Sequence, residues 1–335
     1  MHGTAFFKNG LFMMFIIGCL AISPVGHAKT TVIKIAVVTP EGSTWVKVLR
    51  EMVAETHQQT QGEVTFRIYA GGVSGDEVDV LRKMRSNRLQ AAGLSGVGVG
   101  VVLPEIRALE APLLFQNEEE IDRVRDGLFD YFAAALDKKG FVLLGFAEGG
   151  WVYLFAKRDL SADNGLHSVK MWVWKGDQVA ETFLNTFGVR TTPLNIADVN
   201  TGLETGMIDA FYAPPLAALS FQWSARVSYM LDYPMANSTG ALLMDKRTFQ
   251  KLPAVHQKTI RKLARQYCRR LTALTRKDNI DAKTLLGSQH LDLVHPTSRQ
   301  IEQFQKDAKI TYARSIPKLY PQFLFDRIQK LLKDE

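Results

Sequence analysis

The chain has 335 residues, of which 46% are hydrophobic and 22% charged, with a formal net charge of +7. That length is long for one core and comfortable for two lobes, and the composition is that of an ordinary folded protein, which excludes a disordered or low-complexity chain. The basic excess is spread out. Its densest run, Arg261 to Arg276, falls in a strongly helical stretch without a nucleic-acid motif or interleaved aromatics, so it reads as a solvated helix face.

The N-terminus reads as an export leader. Lys8 supplies the positive charge, and Leu11 to Ile22 form an apolar run too short to span a bilayer as a helix. Gly26-His27-Ala28 places small residues where a signal peptidase cuts, giving a leader of residues 1–28. A second reading stays open: Ile16-Ile17-Gly18-Cys19 fits a lipobox, in which Cys19 is lipidated and becomes the new N-terminus. After the leader only Cys268 remains, so no intramolecular disulfide is expected, and the thiol reads as a small buried apolar group.

Thr31 to Val38 is a β-branched run and a natural strand. Ser43 offers an N-cap, and Val46, Leu49 and Val53 repeat at helical spacing up to Gln61. Val64 to Tyr69 returns to strand, Asp76 to Arg88 reads as helix, and Leu89 to Ser95 as strand. The glycine-rich Gly96-Val97-Gly98-Val99-Gly100 reads as a flexible connection. Ile121 to Lys138 is helical and Phe141 to Phe146 a buried strand. Lys170 to Trp174 (strand) and Gln178 to Phe187 (helix) open a second α/β unit. Asn195 and Asp198 suggest a capping box for a short helix ended by Gly206, followed by a strand from Met207 to Tyr212. Pro253 to about Leu286 forms the longest helical run, which outreaches a single lobe and suits a spine touching both. The βαβα alternation predicts a mixed or parallel sheet covered by helices.

Three segments in order carry a family resemblance. GEVTFRIYAGGVSGDEVDVLRKMRSNRLQAA, LPEIRALEAPLLFQNEEE and GLETGMIDAFYAPP together resemble the solute-binding proteins of tripartite ATP-independent periplasmic (TRAP) transporters, the DctP-like family, over about residues 31–330. The resemblance implies a two-lobed α/β binding-protein fold with mixed sheets, crossing strands and an interlobe cleft. The lobes would comprise residues 29–150 with about 237–275, and residues 151–236 with about 276–335. It also implies a periplasmic protein that closes on a small molecule and delivers it to a small and a large membrane subunit, or their fusion. A repeat-containing periplasmic partner is a further option.

The resemblance implies which positions line the cleft. The family's clamp arginine, which grips a ligand carboxylate, aligns with Trp172, and a second arginine upstream aligns with Val152. Polar positions of the third segment become Ala210, Phe211, Tyr212 and Ala213, and the carboxylate that helps hold a metal in some relatives is here Tyr212. Trp151 and Trp174 complete the candidate ligand-binding set, with no metal or cofactor. Strand alternation puts Lys170, Trp172 and Trp174 on one face, sets Phe211 opposite Tyr212, and leaves core packing open for Trp151 and Trp174. Without a paired cation a buried carboxylate is costly, so a neutral or apolar ligand is expected, with a cation on aromatic faces as an option.

Enzyme chemistry finds no support in the motifs. Gly93-Leu94-Ser95-Gly96-Val97 and Gly72-Val73-Ser74-Gly75-Asp76 both fail the G-x-S-x-G pattern at its last place, and the glycine-rich stretch lacks the dinucleotide spacing. Histidines 57, 167, 256, 290 and 295 do not pair at metal-ligand spacing. Alternatives of another class remain: an envelope interaction or scaffold protein, or an efflux-accessory factor, that kept the fold and lost transport.

Overall fold

The computed structural model describes residues 30–162, 165–289 and 291–333. The leader and the Cys19 alternative lie outside them. The first half runs β1 (Thr31–Ala36), α1 (Thr44–Gln59), β2 (Val64–Tyr69), α2 (Glu77–Arg85), β3 (Ala91–Ser95), α3 (Gly96–Val102), a 3-10 turn (Pro104–Glu110), α4 (Glu118–Lys138) and β4 (Phe141–Ala156). Next come β5 (Lys170–Trp174), α5 (Gln178–Thr186), β6 (Arg190–Leu194), α6 (Val199–Glu204), β7 (Ala210–Ala213) and α7 (Pro215–Ser220). The chain finishes with β8 (Tyr229–Asp245), α8 (Lys246–Gln250), α9 (Ala254–Gln289), β9 (Asp292–Val294), α10 (Ser298–Ser315) and α11 (Gln322–Lys333).

The strands form one mixed sheet in the order β2-β1-β3-β8-β4-β7-β5-β6, with β9 beside β8. Two long antiparallel strands, β4 and β8, run through its middle, and each lobe hangs on one end of this pair. Near the first lobe Phe141 pairs with Asp245 and Ala147 with Gly240; near the second, Ala156 pairs with Tyr229. Between them the register slips at Gly145, Gly150 and Leu154, which bends the crossing strands. Gly150 has φ +107°, and a side chain there would strike Asn279 of α9, so both backbone and packing demand glycine.

α9 is the expected spine. Its 36 residues span about 54 Å. Ile260, Leu263 and Cys268 enter first-lobe clusters, while Leu286 joins the second-lobe cluster around Phe155 and Val199. Burial pushes the Cys268 thiol up to about 12, so it stays protonated and behaves as an apolar group.

The structure differs from the sequence reading in several places. The glycine-rich stretch is a helix, α3, capped by the Ser95 hydroxyl at Gly98 N. No side-chain bond from Asn195 caps the next helix, so the expected capping box does not form. The C-terminal segment does not stay with the second lobe: Phe304 and Ala308 of α10 pack there, but Leu324 and Ile328 of α11 pack with Leu128 and Phe132 of α4 in the first. An amphipathic last helix finds its apolar partner on α4, and the chain crosses between lobes once more.

Candidate ligand-binding cleft

A cavity of about 230 Å3 lies between the lobes. Its walls come from the β1–α1 loop and α3 region on one side, from β5, α5, β7 and α7 on the other, and from the middle of β4 and β8 behind. The volume sits just below the usual range for ligand sites, so it suits a small molecule.

Five of the seven candidate residues line it: Val152, Trp172, Trp174, Tyr212 and Ala213. Two do not reach it. Phe211 is fully buried, stacked on Phe155 with ring centroids 4.8 Å apart, because the strand turns it away from Tyr212. Trp151 packs against the first-lobe core on the face of β4 opposite Val152.

The aromatic wall is built from contacts between its own members. Trp172 stacks on Tyr212 at 5.2 Å and meets Trp223 edge-on at 5.1 Å, while its Nε1 donates to Leu194 O at 3.1 Å. With only 2% of its surface exposed it forms the back of the wall. Trp174 lies beyond it, 6.4 Å away, and Trp45 of α1 faces the cleft from the first lobe.

Sequence reasoning missed the polar half of the site. Arg107, from the 3-10 turn, places its guanidinium at the cleft, where Nη1 donates to Glu110 and Nη2 to Asp177. Glu110 also accepts from Thr239 N at 2.7 Å. Asp177, the N-cap of α5, accepts from Ala180 N at 3.0 Å and from the Tyr212 hydroxyl at 2.7 Å. Glu77 accepts from Ser95 N at 2.7 Å and from the Ser95 hydroxyl at 2.6 Å.

The sequence reading, with Val152 and Trp172 at the family's arginine positions, named no cation for the cleft; Arg107 supplies one, already paired with Glu110 and Asp177. Among the described residues lining the cavity, Arg107 is the only cation, against the carboxyls of Glu77, Glu110 and Asp177. Burial would lower the Arg107 pKa, yet Asp177 and Glu110 raise it. Burial pushes the Glu110 carboxyl up despite Arg107 beside it, and lifts Glu77 to about 7. Two of the three acids are therefore held above their ordinary range, chiefly because burial disfavours a charged carboxylate there.

The glycines of α3 explain how so many charged groups fit. A Cβ at Gly96 would collide with the Glu110 carboxylate, one at Gly98 with that of Glu77, and one at Gly100 with the Arg107 stem. The alternation of glycines at 96, 98 and 100 makes room for this cluster, a fit that only the folded structure displays.

Two further hydroxyls at the cleft, Thr39 Oγ1 and Thr275 Oγ1, are buried without a hydrogen-bond partner among the described residues. Also among the described residues, no group of three His, Cys, Asp or Glu side chains is arranged to hold a metal ion.

Two lobes on crossing strands around an interlobe cavity define a solute-binding protein. The chain belongs to the DctP family, bacterial extracellular solute-binding protein family 7, whose family model matches residues 35–318. Among curated relatives, a solute-binding protein of Chromohalobacter salexigens is 26% identical over 165 residues, and that match spans 49% of each chain. The 2,3-diketo-L-gulonate-binding periplasmic protein YiaO of Escherichia coli is 23% identical over 239 residues, 69% of this chain and 71% of that one. A TRAP periplasmic solute-binding protein from Citrobacter koseri, solved with bound D-glucuronate, superposes with a TM-score of 0.82 at 24% identity, covering 90% of this chain and 99% of that chain. Among the described residues no helix is long and apolar enough to cross a membrane.

Proposed function

We propose that this chain is the periplasmic receptor of a TRAP-type uptake system and that its cargo is a small, neutral, largely apolar molecule, passed to membrane permease subunits. The observation that carries the cargo reading is the charge balance at the cleft: one guanidinium, Arg107, already engaged by Glu110 and Asp177. A ligand carboxylate would add a further anion to a buried site whose acids are already pushed towards protonation.

The remaining wall supports the same reading. Trp174 and Tyr212 present ring surface, backed by Trp172, and removing apolar ligand area from water yields roughly 25 cal/mol per Å2. The relatives that carry sugar acids keep their own chemistry; this chain's charge balance argues for a different cargo. The open cavity also favours a receptor over a scaffold with a collapsed cleft.

The test is native mass spectrometry of protein purified from its own envelope, with extraction and identification of the carried molecule. A neutral or apolar compound of fewer than about 15 heavy atoms is expected from the cavity size. Recovery of a sugar acid or dicarboxylate, or a large thermal stabilisation by one, would overturn the cargo reading.

A further inference from the structure

We infer that Asp177 is a specificity-determining residue: a resident carboxylate that occupies, on Arg107, the place an acidic ligand's carboxylate would take, so that the protein's own charges join the lobes and acids are refused. The inference rests on the reading of the cargo as neutral and names the residue that enforces it.

The geometry is specific. Arg107 and Glu110 sit on one turn of the first lobe and form a pair with no net charge, fixed by Thr239 N on Glu110. Asp177 arrives from the second lobe, 70 residues later, and adds one negative charge to that pair. The pair is 7% and 8% exposed and Asp177 3%, so water does little to weaken the attraction. Asp177 is also held on its own side, by Ala180 N and the Tyr212 hydroxyl, so it is presented to Arg107 as a fixed group.

The charge count then distinguishes two cases. With Asp177 in place, an acidic ligand would put three carboxylates around one guanidinium, with Glu77 nearby as a fourth acid. With Asp177 neutralised, one ligand carboxylate restores the present count. A residue that keeps the helix cap but carries no charge should therefore convert refusal into acceptance.

Asp177→Ser leaves a hydroxyl to cap α5 and shortens the side chain, and Asp177→Asn keeps both cap and size. The probes are benzoate and its neutral counterpart benzamide, which differ in charge more than in shape, together with D-glucuronate. Binding is measured by calorimetry on the full mature chain, with cooperative unfolding confirming that each variant is folded. Asp177→Ser is expected to raise the affinity for benzoate relative to benzamide at least tenfold over the parent's ratio, with D-glucuronate gaining likewise, and Arg107→Met in that background is expected to abolish the gain. Folded Ser and Asn variants that gain no affinity for any acid overturn the inference and leave the neutral-cargo reading standing. Tight acid binding by the parent protein, lost in Arg107→Met, overturns both.

Discussion

The indole Nε1 of Trp174 donates to Oδ2 of Asp76 at 3.2 Å, tying β5 of the second lobe to the start of α2 in the first. Ile196 N reaches the same oxygen at 3.4 Å, and Oδ1 accepts from Glu77 N at 2.6 Å. One carboxylate thus caps a helix in one lobe and gathers two donors from the other. With the Arg107–Asp177 pair this gives two polar bridges across the cleft, linked through the Tyr212 hydroxyl, which accepts from Trp174 N and donates to Asp177.

Trp174→Phe removes one donor of the Asp76 bridge and keeps most of the ring. A hydrogen bond to a charged acceptor contributes about 1.5 kcal/mol or more, so the variant's affinity for the endogenous ligand is expected to fall roughly tenfold. Solution scattering of the ligand-free variant should show a larger radius of gyration. Unchanged affinity and dimensions would mean that the bond is replaced by water at no cost.

Glu77 makes stability depend on pH. Burial raises its pKa from 4.5 to about 7, against the Ser95 hydrogen bonds that lower it. The folded state therefore binds the proton more tightly than the unfolded chain. The resulting stabilisation is complete below about 4.5 and is lost as pH rises through 7. The shift corresponds to about 3 kcal/mol. Denaturant unfolding of the parent against Glu77→Gln should show the parent losing that amount between pH 4.5 and pH 8, with a flatter profile for the variant.

Much of this architecture was legible in the residues. Val64 to Tyr69 and Lys170 to Trp174 are strands at the bounds their patterns suggest, and Ser43 caps α1. These are local features, set by alternation and caps. The cluster of Arg107, Glu110 and Asp177 was not legible, because two lobes bring together residues 70 positions apart and no spacing rule encodes that. Arg107 and Glu110 alone read as an ordinary helical pair, and Asp177 as an ordinary cap. The glycines at 96, 98 and 100 look like a loop to any propensity argument; their close contacts with three charged side chains are tertiary. Phe211 was half legible: alternation separated it from Tyr212 but could not say which of the two meets the cavity.

Thr275 offers a stability measurement. Its hydroxyl is 1% exposed as part of a buried residue and lacks a partner among the described residues, so replacing it with a methyl removes an unsatisfied group. Thr275→Val is expected to leave the ligand-free protein as stable or up to about 1 kcal/mol more stable. A ligand-free protein destabilised beyond about 1 kcal/mol would show that the hydroxyl is already satisfied.

Trp172→Arg places an arginine where the sequence resemblance puts the family's clamp and is nevertheless expected to fail as an anion site. The indole is wedged between Tyr212 and Trp223, and its Nε1 is committed to Leu194 O. An arginine there loses the stacking surface and brings a cation into an aromatic cluster. Truncating a buried aromatic costs about 3 kcal/mol or more, and the unpaired charge adds to that. Chemical denaturation should therefore show a loss of at least that size, and calorimetry should show no binding of D-glucuronate. The contrast with Asp177→Ser is the informative one. If acid binding is governed by the guanidinium of Arg107, neutralising Asp177 admits acids while an arginine at 172 does not; acid binding by folded Trp172→Arg would place that control on β5 instead.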